Sequence, residues 1–183
     1  MNNNLDHIIA KSIAGDDQSQ RKLYEKHQVM WFMTALRYGK NKVQADDIFQ
    51  EGLIQIFKDL HQFNSKKSAF NTWSSRVMVN AALRFLKKHA WKNMIVEQEQ
   101  TLQLEDKSEN IFSKMSAKEI TRIIQNLPLG YRLVFNMYVI EGYKHNEIAQ
   151  ELGIKEGTSK SQLSKARKLL RQQIESQLIQ RHV

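Results

Sequence analysis

Between Lys155 and Arg171 the chain carries six basic residues against one acid, Glu156. Lys160, Lys165, Arg167 and Lys168 stand there among Thr158, Ser161, Gln162 and Ser164. Such a set makes and breaks no bonds. Its chemistry is polyanion recognition: cations pair with phosphates, while hydroxyls and amides reach the hydrogen-bonding edges of bases. A solvated helix usually mixes charge signs, because Glu–Lys pairs four apart help it form. Here no further acid occurs until Glu175.

A second tract shows the same bias. No acid lies between Asp59 and Glu97, a span that holds seven bases: Lys66, Lys67, Arg76, Arg84, Lys87, Lys88 and Lys92. Phe70, Trp73, Phe85 and Trp91 are interleaved with them. Rings among cations suit single-stranded nucleic acid, whose unstacked bases lie on aromatic faces. Trp73 is read equally well as a core residue, since tryptophan is usually largely buried. The net charge of +9 agrees with a polyanionic partner.

Other chemistries find no support. The six histidines are scattered and no cysteine is present, so a metal site is not expected. There is no glycine-rich phosphate loop and no recognisable nucleophile motif, so neither cofactor nor enzymatic activity is expected. The opening MNNNLDHIIAKSIAGDD lacks the order of a signal peptide, and no apolar run suits a membrane span. The expectation is a cytoplasmic protein with no membrane insertion.

These residues need helices to hold them. One proline and seven glycines leave few turn signals for strands. Helical spacing of Leu23, Tyr24, Val29, Met30, Phe32, Met33 and Leu36 predicts a helix over 19–38, with Gly39 as its stop. Ile48, Phe49, Leu53, Ile54, Ile56, Phe57 and Leu60 predict another over 45–60, with Asp46 and Asp47 at its positive end. A polar loop at 64–68 precedes a long helix over 70–92. From Glu97 to Glu109 five acids face one base, Lys107, which reads as a linker. Ser116 and Glu119 form a capping box for a helix carrying Ile120, Ile123, Ile124 and Leu127. A further helix spans Leu129 to Glu141. Then come a short helix, a turn at Leu152-Gly153-Ile154 and a basic helix over 158–173, with Leu163, Ala166, Leu169 and Leu170 inward. That is the pattern of a helix-turn-helix, or of a plain αα-hairpin with a basic solvent face. The fold expected is all-α: a domain over 1–95, an acidic linker over 96–115 and a four-helix helix-turn-helix domain over 116–183.

Three stretches in this order resemble the extracytoplasmic-function sigma factors of the sigma-70 family: ADDIFQEGLIQIFKDLHQF, SAFNTWSSRVMVNAALRFLKK and LPLGYRLVFNMYVIEGYKHNEIAQELGIKEGTSKSQLSKARKLL. The resemblance implies core RNA polymerase and promoter DNA as partners, with an anti-sigma factor as a further one. It implies that Asp46, Asp47, Gln50 and Glu51 bind the polymerase. It assigns the single-stranded −10 element to Asn71, Trp73, Arg76, Asn80, Arg84, Lys87 and Lys88. It assigns the −35 duplex to Thr158, Lys160, Ser161, Gln162, Ser164, Lys165, Arg167 and Lys168. Two positions depart from the family pattern, which often has an apolar residue at Ser159 and an arginine at Gln162. Ser159 is expected to weaken the first turn of the basic helix, and Gln162 to offer its amide to adenine or a phosphate. On the carboxy-terminal residues alone, a polymerase-independent helix-turn-helix regulator is the alternative.

Overall fold

The structure is a computed structural model that describes residues 3–89 and 116–180. The expected acidic linker lies outside the described residues, as do Trp91 and Lys92. Among the described residues every regular element is helical. Two units divide the chain, one on each side of the 89/90 junction.

The amino-terminal unit holds α1 (Asn3–Ile13), α2 (Asp17–Tyr38), α3 (Lys42–Asp59), a 3-10 turn (Leu60–Gln62) and α4 (Phe70–His89). Short polar side chains start the helices. The Asp16 carboxylate accepts from the Ser19 amide at 2.8 Å, and Asn41 Oδ1 accepts from the Gln44 amide at 2.9 Å. Each satisfies an amide that the first helical turn leaves without a partner. Helix α1 was not anticipated from the sequence. Buried Ile9 and Ser12 anchor it, and Gln20 Nε2 donates to the Ser12 carbonyl at 3.1 Å.

Helices α2, α3 and α4 close over Leu23, Trp31, Tyr38, Ile48, Ile56, Met78 and Leu86, all essentially without solvent contact. Each such side chain stabilises the fold by about 1.5–3 kcal/mol. At one point α3 comes so near α4 that a Cβ on Gly52 would run into the Met78 thioether. The aromatic residues form a second cluster at the start of α4. Phe70 sits edge-on to His27 at 5.0 Å and to Phe63 at 5.3 Å, and Trp73 lies 5.6 Å from Phe63. This cluster pins both ends of the 64–69 loop.

The carboxy-terminal unit holds α5 (Ala117–Gln125), α6 (Leu129–Phe135), α7 (His145–Leu152) and α8 (Glu156–Gln180). The expected capping box is present: the Ser116 amide donates to Glu119 Oε2 at 2.9 Å, and the Glu119 amide returns to Ser116 Oγ at 3.4 Å. The helix expected over 129–141 is present and changes form on the way: its α part runs to Phe135 and widens without a break into a π turn, Asn136–Ile140, where the Glu141 amide reaches the Asn136 carbonyl at 3.0 Å. Gly153 closes α7 with φ at +65°, a conformation costly for residues with a Cβ, while its amide donates to the Ala149 carbonyl. That turn sends α8 across α7 over a core of Ile148, Leu152, Leu163, Ala166, Leu170 and Ile174.

Candidate nucleic-acid interface

Helix α4 carries no acidic residue. Trp73, Arg76, Asn80, Arg84 and Lys87 follow one another at three- and four-residue steps, so they line one face. Lys88 lies beside them. Arg76, Asn80, Arg84, Lys87 and Lys88 are exposed, and Trp73 is half-buried with one side on Phe63 and Phe70. Asn71 is exposed too, but it stands about 160° round the helix from Trp73 and does not join the stripe. The opposite face, through Met78, Ala82, Phe85 and Leu86, is the core. One helix thus presents cations and an aromatic edge outward on a rigid apolar base.

Helix α8 repeats the arrangement with a different underside. Lys160 and Lys168 are exposed. Thr158, Ser161, Ser164, Lys165 and Arg167 are partly exposed on the same broad face. Ser161 Oγ is turned back to the Thr158 carbonyl at 3.0 Å. Lys160 Nζ meets Glu156 at 2.7 Å, and each side chain is about half exposed or more. A pair so exposed contributes well under about 1 kcal/mol and yields readily to a phosphate.

Gln162 is not on this face, contrary to the sequence expectation. It is 6% exposed and lies in line with Ala166 and Leu170 at four-residue spacing. Its amide fills the space left by Gly130, where a Cβ would come within 3.0–3.3 Å of it. It therefore packs the unit's interior. Ser159 is a second buried polar residue, wholly enclosed. Its Oγ is 2.9 Å from Nδ1 of His145, so the hydroxyl has a partner in place of apolar packing.

On α3 the residues divide again. Asp47, Gln50 and Glu51 are exposed on one face, and Asp46 is half-buried to the side. The helix begins at Lys42, with Asn41 as its cap. The two aspartates therefore stand beyond the first turn and do not offset its dipole, contrary to the sequence expectation. Val43 and Ile54, each 69% exposed, flank the carboxylates on the same face. Ile54 belongs to the apolar repeat of α3 in sequence but not to its buried side. It is an exposed apolar residue beside acids, a composition suited to protein contact.

The Sigma-70 region 2 model matches residues 23–92, and the Sigma-70 region 4 model matches residues 117–170. Together they cover more than half of the chain. The chain belongs to the sigma-70 family. It is of the extracytoplasmic-function type, a factor that directs RNA polymerase to promoters and is itself no enzyme. It is similar to the ECF RNA polymerase sigma factor SigM of Mycobacterium tuberculosis, at 24% identity over 160 residues, spanning 87% of this chain and 79% of that one. It is similar to the ECF RNA polymerase sigma-E factor of Haemophilus influenzae, at 26% identity over 183 residues, spanning 92% and 94%. Among solved structures it resembles the sigma factor RpoE of Bartonella quintana, there in complex with the anti-sigma factor NepR. That match has a TM-score of 0.52 and 15% identity, and covers 85% of this chain and 96% of that one; it speaks for the fold alone. Region 2 of the sigma factor thus contains α3 and α4, and region 4 contains the α7–α8 helix-turn-helix. No helix among the described residues is long and apolar enough to cross a membrane.

Proposed function

We propose a division of labour among three surfaces of this sigma factor. The exposed acids of α3, Asp47 and Glu51, together with Gln50, hold core RNA polymerase. The α4 stripe of Trp73, Arg76, Asn80, Arg84, Lys87 and Lys88 captures unpaired bases and phosphates of the −10 element. Asn71 belongs to the same unit but contacts DNA only if the strand turns around the start of α4. Lys160, Ser164, Lys165, Arg167 and Lys168, with Thr158 and Ser161 beside them, engage the −35 duplex through its major groove and backbone. Domains over 1–95 and 116–183, joined by the acidic stretch 96–115, then set the promoter spacing. The factor acts in the cytoplasm, and a protein inhibitor of the anti-sigma class is its proposed regulator.

The observation that carries this reading is the separation of charge. Cationic faces occur on α4 and α8, and a carboxylate face occurs on α3, each exposed and each opposite a packed side. Capturing an extruded base costs a few kcal/mol of unstacking, which the Trp73 ring and neighbouring cations offset. The chemistry of RNA synthesis belongs to the polymerase.

The test is transcription from a randomised promoter library by core polymerase plus this protein. Selective initiation at a shared two-part sequence is the expected result. Lys165→Glu should abolish dependence on the upstream element while leaving polymerase binding intact. Replacing Asp47 and Glu51 by lysine should abolish polymerase binding. Loss of polymerase binding with Lys165→Glu would overturn the assignment, and strong sequence-specific binding without polymerase would favour an independent regulator.

A further inference from the structure

Ser159 and His145 lie fourteen residues apart and meet across the Gly153 turn. A buried hydroxyl needs a partner, or it loses about 1–3 kcal/mol of hydration without return. Ser159 finds that partner in His145 Nδ1. His145 is the first residue of α7, and its ring stacks on Tyr138 with centroids 4.4 Å apart and planes 21° apart. Tyr138 belongs to the π turn. Three successive segments thus meet at one imidazole: the π turn by stacking, α7 by its backbone and α8 by a hydrogen bond.

We propose that Tyr138, His145 and Ser159 form a bracket that sets the seating of α8 on α7, and that makes the grip of α8 on duplex DNA proton-dependent. The proposal rests on the reading of α8 as the −35 helix. Ser159 immediately precedes Lys160, and its depth fixes how α8 is rotated. A turn of one residue, about 100°, would carry Lys160, Ser164 and Lys168 off the presented face. The hydrogen bond survives either protonation state, because Nδ1 accepts from the hydroxyl when bare and donates to it when protonated.

The proton adds charge at a place where charge matters. From α8, His145 is faced by Lys160, Glu156 and Arg167, and from the π turn by Tyr138. Its own segment adds Lys144 and Glu147. The imidazole borders an open cleft with Gly142, Lys144 and Glu156, which gives solvent access to it. Burial, then Lys160, hold its pKa below the usual histidine value, with Glu156 opposing and Arg167 assisting. Free, the group is neutral at neutral pH. Phosphates bound at Lys160 and Arg167 cancel the repulsion, so the complex holds the proton more firmly than the free protein does. Binding therefore takes up a proton, and affinity rises as pH falls through the histidine range.

The experiment measures binding of the selected −35 duplex by reconstituted holoenzyme at about pH 7.5 and about pH 5.5. Wild type should bind about threefold to tenfold tighter at the lower pH. His145→Asn keeps a hydrogen-bonding group near the Nδ1 position without a titrating proton. It should bind within about twofold of wild type at the higher pH and gain less on acidification. His145→Ala and Ser159→Ala should each lose about tenfold at the higher pH, and the double variant should lose little more, because one interaction is removed twice. If the alanine variants melt earlier but bind the duplex as wild type does, the bracket is merely structural. An unchanged pH profile in His145→Asn would remove the proton linkage. The reading of α8 has a separate arm: Lys168→Glu should weaken the duplex at both pH values, and wild-type binding by that variant would sink the reading itself.

Discussion

The two cationic helices of this sigma factor rest on different foundations. Beneath α4 the support is mainly apolar and aromatic: Met78, Ala82, Phe85 and Leu86 on the helix, with Trp31, Phe63 and Phe70 around its first turn, and Ser74 and His27 as buried polar groups among them. Beneath α8 it is laced with polar groups. Ser159 and Gln162 are buried on the helix itself, and Arg132 and Asn136 are buried on the segments below. Arg132 Nη1 donates to the Gln125 carbonyl at 2.9 Å, and burial pulls its pKa down to about 10, so it stays charged at neutral pH. Dispersion and apolar burial mainly hold α4, without regard to direction, whereas the Ser159–His145 hydrogen bond ties α8 at defined atoms. A surface that must receive splayed single-stranded bases needs a rigid floor. A helix that must lie in a groove needs a set rotation, which directional bonds supply.

The strongest way to break this comparison is to hollow the apolar floor. Trp31 is fully buried and packs 6.5 Å from Phe70. Trp31→Ala should cost about 3–5 kcal/mol. Urea unfolding followed by circular dichroism should then show the amino-terminal unit melting early and the carboxy-terminal unit unchanged. A single cooperative transition that moves as a whole would show that the two units do not unfold independently.

A smaller effect of opposite sign is expected under α8. Gln162 Oε1 is buried with no hydrogen-bond partner. Gln162→Leu removes that unsatisfied acceptor at similar volume, and should be neutral or stabilising by about 1 kcal/mol. Because Gln162 points inward, the −35 sequence selected by the holoenzyme should not change. A shift in one selected base would mean that the glutamine reaches DNA after all.

The helices other than α1 were legible in the sequence, and so was the absence of acids along α4 and most of α8. Apolar residues at three- and four-residue steps require helices, and the absence of acids marks the open side. Which apolar residue faces inward was less legible. Val29 and Ile54 fit a helical repeat yet are 72% and 69% exposed, because a repeat of mixed spacing spans more than the buried arc. The resemblance implied a DNA-facing Gln162, whereas the structure buries it. Its spacing of four from Ala166, and of eight from Leu170, already put it on the buried line. The His145–Ser159 contact had no local signal, since it depends on the angle that the Gly153 turn imposes. Helix α1 escaped because so few of its residues are buried.

The least of the expected effects distinguishes the two foundations by acid. His27 is buried against Trp31 and Phe70, at centroid distances of 5.6 and 5.0 Å. Burial, then the neighbouring Lys26, push its pKa below the ordinary histidine value. Its folded pKa thus lies under its unfolded one, so the unfolded chain binds the proton more readily. Stability of the amino-terminal unit is therefore complete above the ordinary histidine pKa, about 6.5, and declines as pH falls below it. His27→Phe should flatten that decline while keeping the aromatic packing. Melting temperatures of wild type and variant, recorded between about pH 7.5 and about pH 5, would separate toward acid, wild type falling faster, if His27 carries the effect. An equal decline in both would place the acid sensitivity elsewhere in the unit. A largely apolar floor then gains pH dependence from the His27 ring built into it, whereas in the carboxy-terminal unit the His145 ring borders the binding face and should act on affinity.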